Sequence, residues 1–420
     1  MRVLWIINAP PKSVDGNDSG RTGGGWVTSL EAELSKRKDI QLGIVFKSIQ
    51  GNNSFFTSGN TQYFPISHIS DKNRFFRHIN RWVHRLEDDD LLEKFTNVIN
   101  EFKPDIIQIF GTESYYGLII SKINVPCVIH LQGSLVLVNH KWHSGLSVLD
   151  ILINSKFWSI YQGWGFFHEY FFFKKAAKRE LKIYNECSNF MGRTDWDKRM
   201  TSVLAPNAVY FHCDEILRQE FYLHTWHQHN SNNKFIIFST SRDCTYKGLE
   251  TVLECKKLLQ KYYPESKITW KIAGVTENDE ISYQIERKYK DSFVNNNVLL
   301  LGKLEEKELI TAMLEADLFV HPSHIDNSPN TVCEAMLLGM PLITTYAGGI
   351  PSIIENNSEG LLVQDGDPYA LAGAILELIN DTKYAVKLGA NARGRAIIRH
   401  NPDTIADRVL SIYKSVLSNM

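Results

Sequence analysis

Asp326 and Glu334 are two carboxylates eight positions apart, with a helix start between them. They lie in the stretch HPSHIDNSPNTVCEAMLLGMPLITTYAGGI (321–350). Ser328-Pro329 reads as an N-cap followed by proline at the first helical position. Gly339 and then Pro341 read as the stop. This places Asp326 in the loop before the helix and Glu334 inside its first two turns. Asn327 and Asn330 add amide donors and acceptors beside Pro329, which has no N–H to give. The run PLITTY (341–346) predicts a strand, and GGIPSII (348–354) predicts a helix whose first N–H groups, at Gly348 and Gly349, favour phosphate. Together these parts can hold a sugar, a ribose and a diphosphate along the C-terminal edge of a parallel sheet. The carboxylate pair alone is equally compatible with a capped helix at the edge of any α/β domain.

Two cations stand upstream. KFIIFSTSRDCTYKGLE (234–250) reads as a buried strand, a polar loop and a helix opened by Gly248, with Arg242 and Lys247 flanking the loop. A planar guanidinium and a point-charge ammonium at a strand's exit suit a diphosphate leaving group. ITWKIAGV (268–275) and NVLLLGKL (297–304) continue the alternation and place Gly274 and Leu304 at or just beyond strand ends. In the first half, the strand RVLWIINAP (2–10) is followed by a glycine loop at Gly23, Gly24 and Gly25, where backbone can approach a ligand closely. Its spacing is not that of the dinucleotide fingerprint. PCVIHLQGSL (126–135) is a strand whose exit holds His130, Gln132 and Gly133, at the end of a strand where ligands collect.

These motifs resemble the retaining family 4 glycosyltransferases, specifically over 234–364 and more loosely over 1–215. The resemblance implies that Asp326 contacts the transferred sugar and that Glu334 holds the nucleotide ribose. It implies that Arg242 and Lys247 neutralise the diphosphate as the glycosidic bond breaks, with the Gly349 helix start assisting. Gly274 and Leu304 fall where the family packs the nucleotide base. The family's glycine pair near Gly23–Gly25 approaches the donor phosphate and the acceptor, and its histidine at the place of His130 touches donor sugar or acceptor. One departure is that the family usually has Glu where this chain has Asp326, one methylene shorter. The implied activity is transfer of a sugar from a nucleotide-sugar donor to a saccharide or lipid-linked saccharide acceptor, in surface polysaccharide or glycoconjugate assembly. No cofactor or metal is expected, because the nucleotide sugar is a substrate and two cations already face the diphosphate. A nucleotide-sugar epimerase of the same fold, or a non-catalytic sugar-nucleotide-binding protein, stays open.

The elements that must position these residues follow from the rest of the chain. At 420 residues it is too long for one ordinary core. Alternating segments predict strands at 2–8, 104–110, 126–132 and 188–193, then at 234–240, 268–274, 297–301, 317–321, 341–345 and 360–363. This argues an α/β protein of two doubly wound Rossmann-like domains. The resemblance names this fold GT-B, with the domains facing a central cleft. The polar tract 227–234 is the expected linker, giving an acceptor-side domain over 1–225 and a donor-binding domain over 226–399. The helical pattern of 401–417 and the resemblance return residues 400–420 to the first domain. A net charge of −1 excludes a global basic field for nucleic acid. Six cysteines without CxxC spacing and fourteen histidines without HExxH argue no metal site and a reducing cytosol. No signal-peptide plan or transmembrane run is visible, so a cytoplasmic enzyme is expected, with the inner face of the membrane as a second possible station. The segment KFWSIYQGWGFFHEYFFFKKAAKRELK (156–182) bears on that. Its aromatic residues beside lysines suit peripheral contact with an anionic bilayer, and equally suit packing within the first domain or along the acceptor cleft.

Overall fold

The computed structural model describes residues 1–8, 25–48, 55–67, 79–84, 89–229, 234–265 and 267–418. Two compact units emerge. The first comprises Met1–Leu137, Phe171–Arg218 and His400–Met420, and the second Val138–Tyr170 and Gln219–Arg399. This divides the chain differently from a break at 225. Residues 138–170 group with the second unit, and the later crossing falls at 218–219.

The first unit holds an eight-stranded sheet. Its strands are β1 (Arg2–Ile7), β2 (Gln41–Ser48), β3 (Phe56–Ser58), β4 (Thr61–Ser67), β5 (Ile106–Phe110), β6 (Cys127–His130), β7 (Asn189–Gly192) and β8 (Val209–His212). The order is β3-β4-β2-β1-β5-β6-β7-β8, parallel except for the β3–β4 pair. Both faces are covered, as a parallel sheet requires. One face packs on the helices Gly25–Leu34 and Pro402–Ser418, through Trp26, Leu30, Val409, Ile412 and Val416. The other packs on the helix Asp89–Phe102 through Leu92, Phe95 and Ile99. Tyr413 of the closing helix is fully buried. Its hydroxyl accepts from Trp5 Nε1 at 3.0 Å and donates to the Gln108 side chain. A buried phenol thus finds two partners on β1 and β5, which fixes the register of that helix.

The second unit holds six parallel strands in the order β11-β10-β9-β12-β13-β14. They are β9 (Phe235–Thr240), β10 (Ile268–Ala273), β11 (Val298–Gly302), β12 (Leu318–His321), β13 (Leu342–Thr345) and β14 (Leu361–Val363). In such a sheet the order reverses between β9 and β12, and a crevice opens outside their carboxyl ends. Residues 138–170 are tied to this unit by named contacts. Thr245 Oγ1 donates to the Trp142 carbonyl at 2.5 Å, Asp150 pairs with Lys288 at 3.2 Å, and Gln284 Nε2 donates to Ser155 Oγ at 3.1 Å. All six cysteines are buried, and none is in a disulfide.

Candidate functional site

Two loops leave the adjacent strands β9 and β12 at the reversal of strand order, and the backbone stitches them together. The Tyr246 carbonyl accepts from His324 N–H at 2.9 Å and from Ser323 Oγ at 3.1 Å. Gly248 opens the helix Leu249–Tyr262 with φ +73°, and a Cβ there would lie 2.0 Å from the Pro322 carbonyl oxygen. Glycine is therefore required twice over at 248, for its dihedral and for the close approach.

Within this frame Lys247 Nζ donates to the Asp326 carboxylate. His321 Nε2, at the end of β12, lies 3.1 Å from the same carboxylate oxygen, and Asn327 N–H donates to the other at 3.2 Å. Burial alone would raise the Asp326 pKa, but Lys247 and then His321 outweigh it and hold the carboxyl well below its ordinary range. Burial lowers the pKa of His321 more than Asp326 raises it. A neutral ring donating Nε2–H to the carboxylate leaves its buried Nδ1 without a partner. Arg242 is exposed and donates to the Tyr246 hydroxyl at 2.6 Å. The charged ends of Arg242 and Lys247 each stand 5.8 Å from the Tyr246 ring centroid. The loop thus offers two positive charges beside one buried aromatic ring.

The carboxylate helix runs Asn330–Leu338, with Pro329 at the N-cap (φ −68°, ψ 114°) and Gly339 closing it at φ +84°. The cap falls one residue later than Ser328, because Pro329 keeps an extended ψ and does not enter the helix. Glu334 is inside the second turn and 1% exposed. Asn327 is buried and Asn330 half-buried at the helix entrance. The segment expected as a helix at 348–354 is only a single 3₁₀ turn, Ile350–Ser352. Of the two N–H groups expected to face phosphate, that of Gly349 is engaged within the chain. Gly349 N–H donates to the Asp326 carbonyl at 2.8 Å, and Ile350 N–H to that of Ala347 at 3.2 Å. Gly348 has φ +57°, and a Cβ on it would lie 1.9 Å from the Asp326 carbonyl oxygen. The glycine pair therefore clamps the Asp326 loop. Gly274 follows β10 at φ +94°, where a Cβ would lie 2.1 Å from the Ser241 carbonyl oxygen. Leu304 follows β11 and is half-buried.

His130 belongs to the first unit, at the end of β6, fully buried. Its ring stands edge-on to Trp26 at 4.8 Å, and Nδ1 lies 3.4 Å from Gln108 Nε2. Burial first, and Arg193 second, push its pKa down to about 3, so it is a neutral imidazole at ordinary pH. Gly25 opens the helix Gly25–Leu34 in the same unit. Gly23 and Gly24 lie outside the described residues.

His324 and Glu250 escape sequence reasoning altogether. They form a buried pair, with His324 Nε2 2.6 Å from the Glu250 carboxylate and Nδ1 3.3 Å from Asp365, which in turn pairs with Lys141 at 3.2 Å. Burial would lower the His324 pKa, but the two carboxylates raise it above 6.5; Glu250, despite its burial, is drawn below 4.5 by His324. The signs fix a pH window. The Glu250 contribution to stability is lost as pH falls below 4.5 through its depressed value, and that of His324 is lost as pH rises above 6.5 through its raised one. The loss of melting temperature in His324→Gln is therefore expected to be largest near pH 5.5 and to shrink by pH 8.5. Removing one partner of a buried pair costs about 3–5 kcal/mol at its fullest. Equal losses at both pH values would show that the pair is not ionised.

Residues 225–395 match the family model described as glycosyl transferases group 1. The amylovoran biosynthesis glycosyltransferase AmsK of Erwinia amylovora is 28% identical over 176 residues, 39% of this chain and 41% of that protein. The capsular polysaccharide biosynthesis glycosyltransferase CapM of Staphylococcus aureus is 28% identical over 188 residues, 44% of this chain and 47% of its own. The matches thus span less than half the length of these curated relatives. The whole chain superposes on the sucrose-phosphate synthase of Thermosynechococcus elongatus with a TM-score of 0.72 at 15% identity, covering 100% of both chains. It superposes on HepE of Anabaena, solved with UDP-glucose, with a TM-score of 0.65 at 16% identity over 99% and 100% of the two chains. The chain has the GT-B fold, and residues 225–395, with Arg242, Lys247, Asp326 and Glu334 among them, match the model of the glycosyl transferases group 1 family.

Proposed function

We propose that this chain is a retaining glycosyltransferase that moves a sugar from a nucleotide-sugar donor to a saccharide or lipid-linked saccharide acceptor, in surface polysaccharide or glycoconjugate assembly. The observation that carries this is the Lys247–Asp326 contact across the β9 and β12 loops, at the reversal of strand order in the second sheet. A carboxylate for the sugar and an ammonium for the diphosphate are brought to one point by residues 79 positions apart. Lys247 has three N–H donors, so it can keep Asp326 and still reach a phosphate oxygen. In the proposed reaction the bond from the anomeric carbon to the diphosphate breaks and one to the acceptor oxygen forms on the same face. The acceptor's proton passes to the departing phosphate. Arg242 and Lys247 supply the charge that the leaving group gains, with no divalent metal assigned to that task.

The test is to incubate the purified protein with a panel of nucleotide sugars and follow slow release of nucleotide and sugar. Retained configuration in the released sugar supports transfer chemistry, and a donor returned with an inverted centre points to an epimerase. Glu334 adds a binding test. A carboxylate can accept from both ribose hydroxyls, whereas an amide has one acceptor oxygen. Glu334→Gln is expected to weaken nucleoside diphosphate binding about tenfold, the cost of roughly one charge-assisted hydrogen bond. Equal affinities by calorimetry would remove Glu334 from the ribose.

A further inference from the structure

One buried hydroxyl near the Asp326 loop stands apart from its neighbours. At the carboxyl ends of β9, β12 and β13 the hydroxyls of neighbouring residues are engaged. Ser239 Oγ donates to the Val320 carbonyl at 2.6 Å, and Ser323 Oγ to the Ile325 carbonyl at 2.9 Å. Thr345 Oγ1 donates to the Ser323 carbonyl at 2.6 Å, and the hydroxyls of Thr240 and Thr331 pair at 2.9 Å. Thr344 Oγ1 is buried and has no partner among the described residues, and His321 Nδ1 shares that condition. The two residues are register partners on the parallel strands β12 and β13. Their side chains therefore leave the same face of the sheet, on strands about 4.8 Å apart. Thr344 is 1% and His321 3% exposed. A threonine buried with nothing to bond costs more than the valine that fills the same space, so a hydroxyl here calls for a partner. His321 Nδ1 is an acceptor in need of a donor, because Nε2 carries the proton given to Asp326.

We infer that Thr344 is a positioning residue for Asp326: its hydroxyl donates to His321 Nδ1 and so holds the imidazole with Nε2–H on the carboxylate. The hydroxyl reaches Nδ1 by turning about its Cα–Cβ bond or through one water, and either route puts the same donor on the same nitrogen. This fixes the ring in two ways. A nitrogen that accepts does not carry the proton, so the proton stays on Nε2. A ring turned over would put carbon at both contacts, so the turn is opposed at both ends. Orientation matters because Lys247 Nζ and His321 Nε2 share one Asp326 oxygen. In the proposed transfer reaction, on which this role rests, Lys247 also serves the diphosphate. As charge grows on the leaving group the ammonium is drawn toward it. His321 is then the side chain that keeps the carboxylate aimed at the sugar.

The test reads the ring and the reaction separately. In the full chain with isotope-labelled histidine nitrogens, the His321 resonances are assigned by their loss in His321→Gln. The wild type is expected to show a protonated Nε2 and an unprotonated, hydrogen-bonded Nδ1. Thr344→Val keeps the shape and removes the hydroxyl. It is expected to move the Nδ1 resonance toward that of a free acceptor or to add the second tautomer, and Thr344→Ser to restore the wild-type spectrum. In nucleotide-sugar hydrolysis Thr344→Val is expected to lower kcat about tenfold, with KM and nucleoside diphosphate affinity within about twofold. Thr344→Ser should recover most of that loss. In a His321→Leu background Thr344→Val is expected to cost little further. Thr344→Ala replaces the valine variant if the latter melts early. His321 nitrogens unmoved by the loss of the hydroxyl overturn the inference. So does an unchanged kcat, or a loss undiminished in His321→Leu, and either leaves the transfer reading standing. A wild type that turns over no nucleotide sugar removes the transfer reading and this role with it, whatever the spectra show.

Discussion

Lys247→Ala is expected to lower kcat/KM by roughly a hundredfold or more, the scale of one lost contact to a charge that grows in the transition state. Two effects act together. The ammonium is no longer available to the diphosphate, and Asp326 loses the largest influence holding its pKa down. Only His321 and the Asn327 N–H then hold the carboxylate. The fold should survive, because the loop is fixed by backbone and not by this side chain, through His324 N–H to the Tyr246 carbonyl at 2.9 Å and through the close packing of Gly248 on Pro322. Lys247→Arg keeps the charge and should recover part of the rate. The decisive measurement is a double-mutant cycle with Asp326→Ala. Groups in contact couple by about 0.5–3 kcal/mol, whereas independent sites add. Additive losses would mean that the contact is incidental to turnover.

The parts of this site that the sequence discloses are those whose chemistry is local. A strand, a polar loop and a helix start can be read around Arg242 and Lys247, and a loop carboxylate followed by a helix carboxylate can be read at Asp326 and Glu334. What stays hidden depends on neighbours distant in the chain. His321 acquires its role because β12 lies beside β9. Tyr246 joins the site because its carbonyl accepts from His324 N–H and Ser323 Oγ, 77 or more positions away. The Gly348-Gly349 pair shows the limit of a motif. Glycine signals a close approach, but not to what, and here one partner is the Asp326 carbonyl. The strands β2 and β4 went unpredicted for related reasons. β2 carries Gly43 where Phe102 presses against the sheet, a Cβ there meeting its ring at 2.9 Å. β4 carries Pro65, a residue that argues against a strand. It is tolerated because β3 pairs only with Thr61–Tyr63, leaving Pro65 at an edge. The placement of 138–170 with the second unit rests on Trp142, Asp150 and Ser155 meeting residues 103 to 138 positions away, a relation no local pattern carries.

Asp326→Ala is expected to abolish most transfer while sparing much of the nucleotide affinity, and Asp326→Glu to change which donor is preferred. The geometry explains why the shorter carboxylate matters. One oxygen already accepts from Lys247 and His321, and the other from Asn327 N–H. An ionised carboxylate has about four acceptor positions, so about one is left for a sugar hydroxyl. The main chain at Asp326 cannot shift to accommodate a longer side chain, because its carbonyl holds Gly349 N–H and packs against Gly348. One extra methylene therefore carries the carboxylate away from Lys247 and His321 and presents it to a different hydroxyl. A hydroxyl left without its partner costs about 1–3 kcal/mol, enough to move a ratio of specificity constants tenfold. The measurement is kcat/KM for several nucleotide sugars with wild type, Asp326→Glu and Asp326→Ala, alongside calorimetry with the free nucleoside diphosphate. Donor ratios that stay constant while all rates fall together would confine Asp326 to anchoring Lys247 and the helix entrance, and sugar selection would then have to come from other side chains at the carboxyl edge of the second sheet.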